Sequence, residues 1–251
     1  MLTRIFETMG TVVSLRLVER AGVDVDQAVA AARVEFDSLD ARFSLYRDDS
    51  EISLLARGEL TLPASSEEMR AAYADSLEWR DTTGGAFTPH RPDGVLDLSG
   101  TVKAIGISRA ADALREHGVT DFAVNCGGDM LFAGQPDDAE QWTVGIVDPA
   151  DRTKQLTSIR MNTERPACAT SSNAERGDHI WRRPDTDLRV VQATVVAPDI
   201  VTADVCATAI IAGGLDTMNL LTHTCDIAVL VVMSDGELQA NPKFSALLNH
   251  Q

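Results

Sequence analysis

The 251-residue sequence predicts an α+β protein. Apolar residues at helical spacing dominate its first half, and short apolar runs bounded by turn residues dominate its second. The two patterns do not alternate as regular βαβ units. Residues 11–19 read as a strand entered just after Met9-Gly10. Val25, Val29, Ala32, Phe36, Leu39 and Phe43 recur at steps of three and four and predict a helix. Ser65 and Glu68 form a capping-box pair that opens a second helix, ending near Gly84-Gly85. A third helix is expected over 102–117, closed by Gly118. Strands are expected over 122–125, 130–133, 142–147 and 190–196, and a helix over 202–212 that ends in Gly213-Gly214. A terminal hairpin pairs 227–233 with 237–240 across Ser234-Asp235-Gly236. With no repeat, low-complexity tract or linker, the expectation is a single domain over 1–251.

Composition narrows the function classes. A chain of this length can bury a sizeable core. Its longest apolar run, 227–233, is too short to cross a bilayer, so no membrane insertion is expected. The first residues lack the basic start and apolar stretch of a secretory signal, and a cytoplasmic location is the expectation. Cys126, Cys168, Cys206 and Cys225 are scattered without a C-x-x-C pair, which argues for reduced structural thiols rather than a zinc site. A formal net charge of −16 disfavours nucleic-acid binding. It also means that a phosphorylated ligand needs local positive potential, from a side chain, helix N-termini or a metal. Neither a G-x-x-x-x-G-K-[ST] phosphate loop, a G-x-G-x-x-G turn nor a G-x-S-x-G elbow is present.

Four constellations could carry chemistry. In Asp97-Leu-Ser-Gly-Thr-Val-Lys103 the carboxylate can cap helix amides, Gly100 admits a ligand to the main chain, and Lys103 is a mobile point charge for a phosphate. The same pattern suits an ordinary cap followed by a surface lysine. Asn125-Cys-Gly-Gly-Asp129 is a two-glycine hairpin turn that also leaves bare backbone for a ligand. Asp204 and Thr208, four apart on a helix, present a carboxylate and a hydroxyl to one spot, as magnesium favours. Equally, Asp204 could stabilise the helix N-terminus and Thr208 bond back to a carbonyl. Ala169-Thr-Ser-Ser172 reads as a small-polar loop leading to His179, a candidate general base or a half-buried structural histidine.

Read in order, Phe6-Glu-Thr-Met-Gly-Thr11, Arg42-Phe-Ser-Leu-Tyr-Arg-Asp-Asp-Ser-Glu51, Thr83-Gly-Gly-Ala-Phe-Thr-Pro89, and 97–129 with 169–180 and 195–214 resemble the ApbE family of FAD:protein FMN transferases. The resemblance implies a mixed fold of two lobes with a ligand cleft between them. It implies that FAD is the substrate and that FMN passes to a threonine hydroxyl of an acceptor protein while AMP leaves. Met9, Tyr46, Asp97 and Lys103 would contact FAD. The Gly100 carbonyl, Asp204 and Thr208 would hold Mg2+, and His179 with Asp204 would be catalytic. Two segments depart from the family pattern: Lys103-Ala-Ile-Gly-Ile-Ser108 replaces Lys-Gly-Tyr-Ala-Val-Asp, and Trp181 to Asp187 follows the histidine. The alternatives are an FAD pyrophosphatase releasing FMN and AMP, and a flavin-binding protein without catalysis.

Overall fold

The structure, a computed structural model, describes residues 1–137, 140–172 and 189–248. Its frame is an eight-stranded antiparallel sheet. Strands β1 (Leu2–Thr8) and β2 (Thr11–Leu17) form a hairpin, followed by β3 (Phe122–Cys126) and β4 (Asp129–Ala133). After β5 (Thr143–Val147) and β6 (Gln155–Arg160), which pair separately, come β7 (Ala167–Ser172), β8 (Val190–Ala197), β9 (Ala228–Met233) and β10 (Leu238–Ala240). The order across the large sheet is β1-β2-β3-β4-β7-β8-β9-β10.

Helices α1 (Val25–Phe43), α2 (Glu51–Ala56), α3 (Glu67–Thr82) and α4 (Ser99–Glu116) precede β3; α5 (Ile200–Thr224) links β8 to β9, and α6 (Pro242–Ser245) ends the described chain. α1, α4 and α5 cover one face of the sheet, where Phe36, Ile107 and Ile210 meet Leu15, Val124, Val195 and Val231. The β5–β6 pair and α6 cover the other face, where Trp142, Ile146 and Phe244 meet Phe132, Val196 and Leu230. With both faces covered, alternation disappears from the central strands: β9 is buried at every position. A satellite cluster of Leu39, Phe43, Ile52, Met69, Leu98 and Val102 joins α1, α2 and α3 to the start of α4.

Several expectations change. The cap of α3 is Ser66, whose hydroxyl accepts from the Met69 amide at 3.1 Å; Ser65 instead donates to the Leu62 carbonyl. Residues 169–172 are no loop but the interior of β7, because Ala169 and Ser171 pack into the core side of a central strand. The Gly213-Gly214 pair does end a helical segment, as expected: Gly214 takes φ +70 and ψ −155, and a second segment of α5 follows across this kink to Thr224. α5 is long and apolar enough to cross a bilayer by length and composition, yet over half of its most apolar stretch is buried inside the fold. Thr202, Asp204, Thr208 and Asp216 interrupt its apolar residues, so a search for unbroken runs misses it.

Candidate functional site

The site forms where turns from one end of the sheet meet α4 and α5. The β1–β2 connection is the two-residue turn Met9-Gly10, with φ of 51 and 68. That geometry belongs to a tight hairpin and places a non-glycine residue in the left-handed region. The β3–β4 connection is Gly127-Gly128, closed by the Cys126–Asp129 pair and by the Asn125 side chain, which accepts from the Gly128 amide at 3.0 Å. A Cβ on Gly127 would approach Thr11 Oγ1 to 2.9 Å, so the two turns touch only because this residue is glycine.

Between these turns, the 44–47 loop and segment 86–100 lies a cavity of about 930 Å3. Met9, Tyr46, Asp97, Gly100, Lys103 and Thr208 all line it. Tyr46 stands at its rim, 89% exposed. Asp97 Oδ1 accepts from the Ser99 amide at 2.9 Å and so stabilises the entry to α4, where Leu98 has no side chain able to cap. Gly100 has a steric role too: a Cβ there would come within 2.8 Å of Phe87 Cε2. His179 and the 181–187 departure lie outside the described residues.

Lys103 and Thr208 line the cavity, and two carboxylates lie behind them. The Lys103 ammonium is in contact with Asp129 Oδ2 and 3.9 Å from Asp204 Oδ2; both aspartate side chains are fully buried. Asp129 Oδ1 accepts from the Thr170 amide at 3.2 Å, and the Thr208 hydroxyl shares a hydrogen bond with Ser171 Oγ at 3.2 Å. The α5 N-terminus is capped by Asp199, which accepts from the Thr202 amide at 2.8 Å, so Asp204 is not its cap. Asp129 is the residue that sequence reasoning underweighted. Its signal was the last position of the two-glycine turn, whose tight closure fixes where that carboxylate points.

Two carboxylates and one ammonium leave this group formally at −1, among hydroxyls and main chain. That is the hard-oxygen donor chemistry magnesium takes. Among the described residues no three His, Cys, Asp or Glu side chains converge. A cation here would therefore draw further oxygens from Thr208, the main chain, water or phosphate. Cys126, next to the glycine turn, is core: burial, the first cause, pushes its thiol up to about 12 despite the attraction of Lys103. Lys103 is already engaged, so among the described residues the cations left to face a phosphate from the cavity wall are Arg47 and Arg91. Each is oriented by a nearby carboxylate: Asp49 at 3.5 Å from Arg47, and Asp93 at 2.9 Å from Arg91.

Fold and site together define a class: an antiparallel α+β protein with a cavity of about 930 Å3 at one end of its sheet, backed by two buried carboxylates. The chain belongs to the ApbE family, whose profile matches residues 9–91 and 90–231. It is 26% identical over 186 residues to the FAD:protein FMN transferase of Vibrio cholerae, covering 69% of this chain and 55% of that protein. It is 24% identical over 172 residues to the Salmonella typhimurium enzyme of the same name, covering 62% and 49%. The chain thus spans about half the length of the curated relatives it matches. Among solved structures, the flavin transferase ApbE of Vibrio cholerae superposes with a TM-score of 0.81 at 22% identity, covering 98% of this chain and 99% of that one. The apo flavinyl transferase ApbE of Pseudomonas stutzeri gives 0.79 at 16%, covering 99% and 98%. At these identities the likeness establishes the fold.

Proposed function

We propose that this chain transfers FMN from FAD to a threonine hydroxyl of an acceptor protein, in a magnesium-dependent reaction that releases AMP. The observation that carries the reading is the cavity itself. It is near the upper end of the roughly 300–1,000 Å3 typical of small-molecule sites, and its wall at Lys103 and Thr208 backs onto two buried carboxylates. The names of the relatives support the same chemistry.

In this reading Tyr46 and Met9 offer surfaces on which a planar ring can stack. Arg47 and Arg91 face the pyrophosphate, and Lys103 holds Asp129 and Asp204 in place until the ligand arrives. Asp204, Thr208 and the Gly100 carbonyl, with Asp129 beside them, would hold magnesium, which when bound supplies Lewis-acid stabilisation of the charge on the departing phosphate. The acceptor oxygen bonds to the phosphorus of the FMN half as the bond from that phosphorus to the bridging oxygen breaks. AMP departs with that oxygen, and the hydroxyl proton passes to a base, assigned to His179 by the family resemblance. Holding hydroxyl and phosphorus in line is the main contribution asked of the scaffold.

The test is AMP release from FAD, with and without Mg2+ and with and without a threonine-bearing acceptor domain, followed by flavin fluorescence of the denatured acceptor. Metal-dependent AMP with flavin on the acceptor is expected. AMP with only free FMN would replace the reading by a hydrolase, and FAD binding with no AMP would replace it by a flavin-binding protein.

A further inference from the structure

The small β5–β6 sheet has two edges, and they are treated differently. The edge of β6 is closed by the C-terminal segment: the Arg160 amide donates to the Leu247 carbonyl at 2.9 Å, and Ile159 bridges Leu248. β5 pairs, among the described residues, only with β6.

The direction of its backbone groups follows from the register. The Met161 amide donates to the Trp142 carbonyl, so Trp142 is in a hydrogen-bonded pair. Antiparallel pairs alternate up to the register shift between Ile146 and Val147, which turns Val144 and Ile146 toward β6 and Thr143 and Gly145 outward. One contact agrees: the outward Arg160 amide reaches Leu247. Beyond the shift, the Val147 carbonyl accepts from the Gln192 side chain at 3.0 Å. At Gly145 β5 carries no side chain of its own, and the Gln155 side chain of β6 packs over that position, where a Cβ would meet its Oε1 at 2.5 Å.

Beside it lies a recess of about 180 Å3, lined by Val144 to Val147 of β5, by Asp148 after it, and by Gly128, Thr170 and Gln192. Thr170 also lines the large cavity, as does Gly127, the neighbour of Gly128. The recess therefore adjoins the large cavity at the glycine turn that carries Asp129. β5 is short and its register shifts between Ile146 and Val147, so the stretch of its outer edge left for pairing by another chain is Thr143 to Gly145.

We propose that the outer edge of β5 docks the flavin acceptor by strand addition, an inference that rests on the transferase reading. A short extended segment of the acceptor protein pairs with Thr143 and Gly145, places small side chains in the recess, and brings its target hydroxyl to Thr170 at the cavity wall. Main-chain pairing supplies affinity for any extended sequence, and the size of the recess selects small residues around the target.

The experiment uses a recombinant flavin-acceptor domain with one target threonine, and its Thr→Ala form for binding without transfer. In the whole protein, Thr143→Pro removes an outward amide and breaks no internal pair, a position where edge strands accept proline. Its KM for the acceptor should rise by about tenfold, the effect of losing one main-chain hydrogen bond. Melting temperature, FAD binding and acceptor-independent AMP release should stay unchanged. In the unaltered protein, the Gly145 amide should exchange more slowly, by NMR, when the Thr→Ala acceptor binds. Flavin transfer at unchanged KM by Thr143→Pro, with Gly145 exchange indifferent to the acceptor, overturns strand docking alone. If the unaltered protein labels no acceptor, the transferase reading falls and the docking proposal with it.

Discussion

Lys103 Nζ lies in contact with Asp129 Oδ2 and 3.9 Å from Asp204 Oδ2, so one ammonium serves two fully buried carboxylates from different elements. It ties the β3–β4 turn to α5 through α4 and sets the charge behind the cavity. Asp204→Asn keeps the volume and leaves Lys103 with Asp129. We expect AMP release to fall about a hundredfold, a loss of the size seen on removing one charge-stabilising group, with the urea midpoint little changed. Lys103→Met leaves two carboxylates together and should cost about 3 kcal/mol, the lower end for a broken buried pair, because Lys103 keeps 18% exposure. Added Mg2+ should restore more stability to Lys103→Met than to the unaltered chain. Equal metal effects in urea titrations would argue against a cation site here.

Tyr46 is 89% exposed and packs against little, so Tyr46→Ala should leave the melting temperature unchanged. A lost ring stack of about 1 kcal/mol corresponds to roughly fivefold weaker FAD binding. Fluorescence titration with FAD checks this; unchanged affinity would remove Tyr46 from the site.

Gly106, inside α4, leaves room for Phe36 on α1: a Cβ there would sit 2.8 Å from two ring carbons. Alanine gains about 1 kcal/mol in helix propensity, but overpacking costs about 1–3. With Phe36 fully buried the clash should win, and Gly106→Ala should lower the urea midpoint. Combining it with Phe36→Leu should cost less than the sum of the two.

Asp121 accepts from the Gln135 amide at 2.9 Å, from Thr120 and from Arg20, and these bonds hold its carboxyl below the usual 3.8. A depressed carboxylate contributes stability that is fully present above its ordinary pKa and is lost as pH falls through the folded value. Asp121→Asn should therefore cost about 1 kcal/mol near neutrality and flatten the loss of stability below pH 3.8. Urea midpoints measured from pH 7 to 3 test it.

The thiols should react in a fixed order. A hydrogen bond from Cys206 draws Cys225 down to about 6, while burial pushes Cys126 and Cys168 up to about 12. Cys225 is also half-exposed, whereas the other three are buried. Iodoacetamide at neutral pH should modify Cys225 first, as read by peptide mass spectrometry; early labelling of Cys126 would contradict its place in the core.

By itself the sequence determined what local chemistry controls. The helical repeat from Val25 to Phe43 became α1 because its apolar stripe suits one buried face. The two-glycine turn appeared where expected, since only glycine takes φ of +60 and +97 in succession without strain. Asp204 and Thr208 share a helix face because 3.6 residues make a turn. Tertiary structure decided the rest. Residues 169–172 read as a small-polar loop, and only burial between β4 and β8 makes them part of a central strand. Gly213-Gly214 does break the helix, but the second segment that continues α5 across the kink to Thr224 was not expected from the local pattern. The ion pairs of Lys103 with Asp129 and Asp204 join residues far apart in sequence, a meeting fixed by the order of strands and the docking of α4 against α5, which no local pattern encodes.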